Sequence, residues 1–97
     1  MKERSKVIVY SGVVDLRKGY WGLKGLIGNL DPDVLYLFSN RSRNLCKVLS
    51  RDRFGIEVWT RRLNQGSFQW PENPTGITEI NTEKMRRIFA GKKVKKI

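Results

Sequence analysis

Apolar and polar residues alternate along this chain in short blocks of two different periods. Val7, Ile8, Val9 and Tyr10 are β-branched or aromatic and run into Ser11-Gly12, which predicts a short buried strand followed by a turn. Beyond it the period lengthens. Leu16, Tyr20, Leu23, Leu26, Ile27 and Leu30 fall on one arc when residues advance by about 100°, the mark of an amphipathic helix. Asp15 is placed to cap this helix and Asp31-Pro32-Asp33 to stop it, so a helix is expected over about 15–30.

That helix carries glycine at 19, 22, 25 and 28, and each costs about 0.8–1 kcal/mol relative to alanine in a helix interior. It therefore needs tertiary support. Either its apolar face packs on a sheet, or the glycines admit another backbone or a phosphate.

Three β-rich runs follow at 34–38, 45–49 and 56–59, the last extending to about Arg62, separated by turn-like stretches at 39–44 and 51–55, a pattern that predicts an antiparallel meander. Residues 66–76 read as a loop with room for a short strand at 67–70, and 77–80 as a further strand. Asn81 is a cap for a second helix over about 82–90, with Ile80 and Met85 at the two positions of a hydrophobic staple and Met85, Ile88 and Phe89 on its apolar face. Gly91 ends it, leaving residues 92–97 as a basic tail beyond a single domain of 1–91. The expected fold class is α+β: an antiparallel β-meander packed by one N-terminal and one short C-terminal helix.

Charge adds a functional direction. Lys and Arg number 20 against 9 Asp and Glu, a net +11 without histidine, and the excess is spread over every third of the chain. Solubility alone does not need such an imbalance, so an anionic partner is expected.

Composition also removes chemistry. Without histidine and with one cysteine, zinc fingers, Cys-His nucleophiles and Ser-His-Asp triads are excluded. The carboxylates Asp15, Asp31, Asp33, Asp52, Glu57 and Glu83 show no metal-binding spacing; Asp15 reads better as a cap and Asp52 as a turn residue. The phosphate-cradling pattern Gly-x-x-x-x-Gly-Lys-Ser/Thr is missing. No enzyme activity, cofactor or metal is expected. Cys46 has no intramolecular disulfide partner and sits in an apolar run, which fits a reducing compartment. Lys2, Arg4 and Lys6 precede only Val7 to Tyr10, too short for a secretory or membrane segment, so a cytoplasmic, nucleoid-associated protein without a membrane partner is expected.

The basic residues that suit phosphate contact are Arg17 and Lys18 on the first helix, Arg41 and Arg43 at a hairpin tip, Lys47, and the pair Arg61 and Arg62, at least one of which faces solvent. Trp21 and Lys24 share the flank of Arg17, which suits either a phosphate backbone or plain solvent. Trp59, Phe68 and Trp70 are the right residue types for stacking bases in an RNA-binding surface, yet such residues also build cores. Trp59 is assigned to the core, and Trp70 fits either role.

Val14-Asp15-Leu16-Arg17-Lys18-Gly19, continuing through Gly22-Leu23 and Leu26, is followed by Leu35-Tyr36-Leu37-Phe38, by Lys47-Val48-Leu49 and by Arg61-Arg62-Leu63-Asn64-Gln65-Gly66-Ser67-Phe68-Gln69-Trp70-Pro71. In this order and spacing the chain resembles, over about residues 6–91, the small accessory protein (TnpB-type, or second-frame protein) of insertion sequences of the sixty-six type. It departs from that family's pattern at Arg41-Ser42-Arg43-Asn44 and at Arg51. The resemblance implies a non-catalytic accessory in DNA transposition, encoded beside a larger transposase, with no family active site to carry over. The expected partner is DNA, and the alternatives are the element-encoded transposase, docked through the basic face, and RNA.

Overall fold

The computed structural model describes residues 6–73 and 76–91. Strand β1 (Lys6–Val13) leads through a short 3-10 turn (Leu16–Lys18) into α1 (Gly19–Ile27). Strands β2 (Val34–Ser39), β3 (Leu45–Asp52), β4 (Gly55–Arg62) and β5 (Ile77–Ile80) follow, and α2 (Thr82–Ala90) closes the described chain. The strands form one sheet in the order β4-β3-β2-β1-β5. The α+β class and the meander β2-β3-β4 are as the sequence predicts. The sheet as a whole is mixed, because β1 pairs parallel with β2 and antiparallel with β5. A strand followed by a helix is carried back across the sheet before the next strand begins, which makes the two strands parallel.

Three other expectations are corrected at the level of elements. β1 does not turn at Ser11-Gly12 but continues to Val13 through a register shift. The Ser11 N–H donates to the Gly76 carbonyl at 2.9 Å, and the Ser11 hydroxyl to the Asn73 carbonyl at 2.8 Å. A side chain on Gly12 would meet the Tyr10 ring at 2.7 Å, so the bend leaves no room for one. The first helix is also shorter than 15–30. Asp15 caps a 3-10 turn, accepting from the Arg17 N–H, and the α-helix proper ends at Gly28, whose φ of 98° lies in the left-handed region that a side chain disfavours. Residues 67–70 form no strand beyond a bridge at Ser67. The second helix matches its prediction, with Asn81 accepting from the Lys84 N–H at 2.8 Å. The basic tail 92–97 lies outside the described residues.

Each face of the sheet carries its own core. On one, α1 lays Leu16, Leu23 and Leu30 over Val34, Tyr36, Phe38 and Leu49, with Tyr20 and Ile27 partly buried beside them. On the other, Ile88 of α2 together with Phe68 and Trp70 covers Val7, Val9, Leu35, Leu37, Cys46 and Val48. β2 is therefore buried along its whole length, which explains why Val34 to Phe38 reads as a continuous apolar run. The glycine-rich helix is held by this packing: burying one Leu side chain contributes about 1.5–3 kcal/mol, enough to offset more than one helical glycine. Leu26, predicted on the apolar arc, is instead exposed. No helix among the described residues is long and apolar enough to cross a membrane.

Candidate nucleic-acid interface

Register across the sheet decides where the basic residues meet. Val13 lies opposite Ser39, Ser39 opposite Cys46, and Cys46 opposite Arg61. One row thus joins the carboxyl ends of β1 and β2 to the start of β3 and the end of β4. Arg17 and Lys18 leave β1 at this end, Arg41 and Arg43 form the β2–β3 tip, Lys47 opens β3, and Arg61 and Arg62 close β4. All seven candidates, drawn from four separate segments, are brought to one end. The described acids there are Asp15 and Glu72. Asp31, Asp33, Asp52 and Glu79 gather at the opposite end, where β2 begins, β3 turns into β4 and β5 finishes.

Pleating divides the seven between the faces. Lys47 and Arg62 share the α1 face with Leu45 and Leu49, the face onto which the turn bearing Arg17 and Lys18 folds. Arg61 lies on the α2 face beside Cys46, its guanidinium 5.6 Å from the centre of the Phe89 ring. Arg17, Lys18, Arg41 and Arg62 are exposed, and Lys47 is half-buried.

Arg43 differs from the rest. Its Nη2 donates to the Ser11 carbonyl at 2.7 Å, its guanidinium lies over the Trp70 ring, and Nη1 is buried without a hydrogen-bond partner among the described residues. Burial lowers its pKa, and the charge of Glu72 nearby works in the other direction. Its carbonyl accepts from the Phe68 N–H. Arg43 thus binds the hairpin tip to β1 and to the loop at 66–71, with little of its charge left for an external phosphate. Nothing in the local sequence distinguishes it from Arg41 two residues away. The difference is its φ of 54°, a left-handed turn position that swings its side chain inward.

Asp15 tempers the opposite flank. Its carboxylate accepts from the Arg17 backbone N–H at 3.0 Å and from the guanidinium at 3.0 and 2.9 Å. The Arg17 side chain, followed by its backbone N–H, holds the Asp15 pKa down at about 2, and the same pair raises that of Arg17. Part of the Arg17 charge is therefore already satisfied, a relationship that the Asp-x-Arg spacing alone could have indicated.

Among the aromatic residues, Trp59 departs from its expected place, and Trp70, which fitted either role, joins the core. Trp59, assigned to the core from sequence, is 41% exposed because β4 is an edge strand with neither face covered. Phe68 and Trp70 are buried, and Trp70 Nε1 donates to the Tyr10 carbonyl at 2.8 Å, so neither offers a stacking face. Trp21 is 75% exposed on α1. Among the described residues no group of three or more His, Cys, Asp or Glu could hold a metal ion. Cys46 is fully buried in the core, and burial pushes its pKa up to about 12.

The fold and the site define the class as a small basic α+β domain in which Arg17, Lys18, Arg41, Arg43, Lys47, Arg61 and Arg62 are brought to one end of a mixed sheet. The comparisons make the class specific. Residues 5–97 match the family model described as IS66 Orf2 like protein, and the chain belongs to that family, whose members are accessory proteins of transposition in insertion sequences. It is also 30% identical over 91 residues to the uncharacterized protein y4hO of Sinorhizobium fredii (strain NBRC 101917 / NGR234), covering 89% of this chain and 79% of that one. No solved structure matches.

Proposed function

We propose that this accessory protein binds DNA through the carboxyl end of its sheet. Arg17, Lys18, Arg41, Lys47 and Arg62 touch phosphates, Arg61 flanks them, and Arg43 braces the tip from behind. The observation that carries the reading is the register that gathers these residues from four segments while the acids Asp31, Asp33, Asp52 and Glu79 lie at the far end. Such polarity orients the molecule toward a polyanion before contact and favours backbone contact over base readout. A non-catalytic accessory role is part of the same reading and is supported by the family to which the chain belongs.

Fluorescence anisotropy tests this with element-end duplex, scrambled duplex, single strand and purified transposase across a salt series. Duplex binding that falls by roughly 10³–10⁵ between 50 and 200 mM salt is expected if six to ten phosphates are neutralised. Stronger binding to the element end than to scrambled duplex assigns a role in end recognition; equal binding assigns a sequence-independent role. Absence of nucleic-acid binding at low salt overturns the proposal, and salt-sensitive binding of the transposase alone would assign the basic end to that protein.

A further inference from the structure

The two edges of the sheet are unlike. β5 offers four residues, with Glu79 tied to Lys6 of the adjacent strand at 3.5 Å. β4 offers eight, Gly55–Arg62, all exposed, without proline and without a break in its register against β3. Edge strands of this length are usually bulged, shortened or covered, because their unpaired N–H and C=O groups recruit another strand. Ile56, Val58 and Trp59 add apolar surface to this one, at 49, 40 and 41% exposure.

The ladder decides which groups point outward. The Leu63 N–H donates to the Asn44 carbonyl at 2.9 Å, so hydrogen-bonded pairs recur at every second residue, at Arg61 with Cys46, Trp59 with Val48, Glu57 with Ser50 and Gly55 with Asp52. Ile56, Val58, Thr60 and Arg62 therefore aim their N–H and C=O groups at the open edge.

We propose that β4 is the contact through which two copies of this chain dimerise, pairing antiparallel about a two-fold axis at Trp59. In that register Val58 stands opposite Thr60 of the second copy, and Ile56 opposite Arg62, so the outward-facing groups meet one another. Glu57 stands opposite Arg61 on both sides of a Trp59–Trp59 pair. These are the non-hydrogen-bonded positions, where opposing side chains approach most closely and opposite charges or aromatic rings stabilise a ladder.

Charge order selects this occupant and this register. The acid and the base lie two residues to either side of Trp59, so the strand complements itself only when it runs antiparallel to its own copy. A slip by two residues sets Glu57 opposite Trp59 or Leu63 and loses both charge pairs. A slip by one sets outward-facing groups against inward-facing ones. The Trp59 indole N–H already holds the Glu57 carboxylate at 3.1 Å, on the face where the second Arg61 arrives. The contact is isologous and closes, leaving only the short β5 edges outside. It commits Arg61 to the dimer and does not rest on DNA binding.

Sedimentation equilibrium of nucleic-acid-free protein tests the pairing. A reversible monomer–dimer equilibrium is expected for the native chain. Val58→Pro removes an N–H that β3 does not use and suits an edge strand, so it should leave the circular dichroism unchanged and shift the protein to monomer. Glu57→Arg should weaken the dimer by about tenfold or more through like charges placed opposite one another, and adding Arg61→Glu should restore it. A native chain that stays monomeric at its highest soluble concentration overturns the proposal, as does a dimer indifferent to both single variants or a charge swap that fails to restore association. A monomer whose edge instead captures the transposase, with the same Val58→Pro sensitivity, overturns it in favour of that partner. Since Val58→Pro leaves every phosphate-contact candidate in place, its effect on dimerisation is read separately from DNA affinity.

Discussion

The Arg43 guanidinium carbon lies 5.4 Å from the centre of the Trp70 ring while Nη2 of the same group donates to the Ser11 carbonyl at 2.7 Å. One side chain thereby joins the β2–β3 tip, the irregular segment of β1 and the loop that carries the Phe68-x-Trp70 motif. Removing it leaves a carbonyl without its donor and uncovers an indole, so Arg43→Ala should lower stability by about 1.5–3 kcal/mol, the range for hydrogen bonds to charged groups. Arg43→Lys should not recover the loss, because an ammonium lacks the planar fork that stacks and donates together. Urea unfolding monitored by tryptophan fluorescence checks both.

Exposed members of the basic end should behave in the opposite way. Arg41→Ala and Arg62→Ala are each expected to reduce the salt slope of DNA binding by about 1, equally for all sequences. Neither should change stability by more than about 0.5 kcal/mol. Arg53→Ala, at the far end of the sheet, should leave both quantities unchanged. Equal effects at Arg53 and Arg41 would show that net charge, rather than the gathered end, drives binding.

Asp15 links pH to the same end. Its pKa in the folded protein is lowered from 3.8 to about 2 by the Arg17 side chain and backbone N–H. A lowered folded-state pKa means that the contribution of this carboxylate to stability is complete above its ordinary value and is lost as pH falls from about 4 through about 2. A side-chain carboxyl titration followed by NMR should place its midpoint near 2 in the native chain and higher in Arg17→Ala, yet still below the ordinary value, because the backbone N–H of residue 17 continues to donate to the carboxylate. Since the same carboxylate neutralises part of Arg17, Asp15→Ala should raise DNA affinity at low salt even as it removes the cap of the 3-10 turn.

Cys46 should be inert while the domain is folded. Its thiol is buried and its pKa is raised to about 12, so almost no thiolate is present at neutral pH. Alkylation by iodoacetamide at neutral pH should be slow in buffer and become rapid in urea concentrations that unfold the protein. Fast labelling in buffer would contradict the packing of β3 against α2.

The sequence determined the pieces of this protein: the β2-β3-β4 meander, the Asn81-capped second helix, the apolar stripe of α1, and a net charge of +11 without histidine. These are local properties, set by side-chain spacing within one turn or one strand. Tertiary structure alone decided how the pieces meet. Whether β1 lies beside β2 in parallel depends on the route of α1 over the sheet. Whether Trp59 or Trp70 is buried depends on which strand becomes the edge and where the loop after β4 returns. Arg41 and Arg43 differ by two positions in sequence, yet backbone handedness at Arg43 turns one guanidinium inward and leaves the other in solvent. The gathering of Arg17, Lys18, Arg41, Arg43, Lys47, Arg61 and Arg62 at one end is likewise a matter of strand register, a long-range relationship that no local pattern contains.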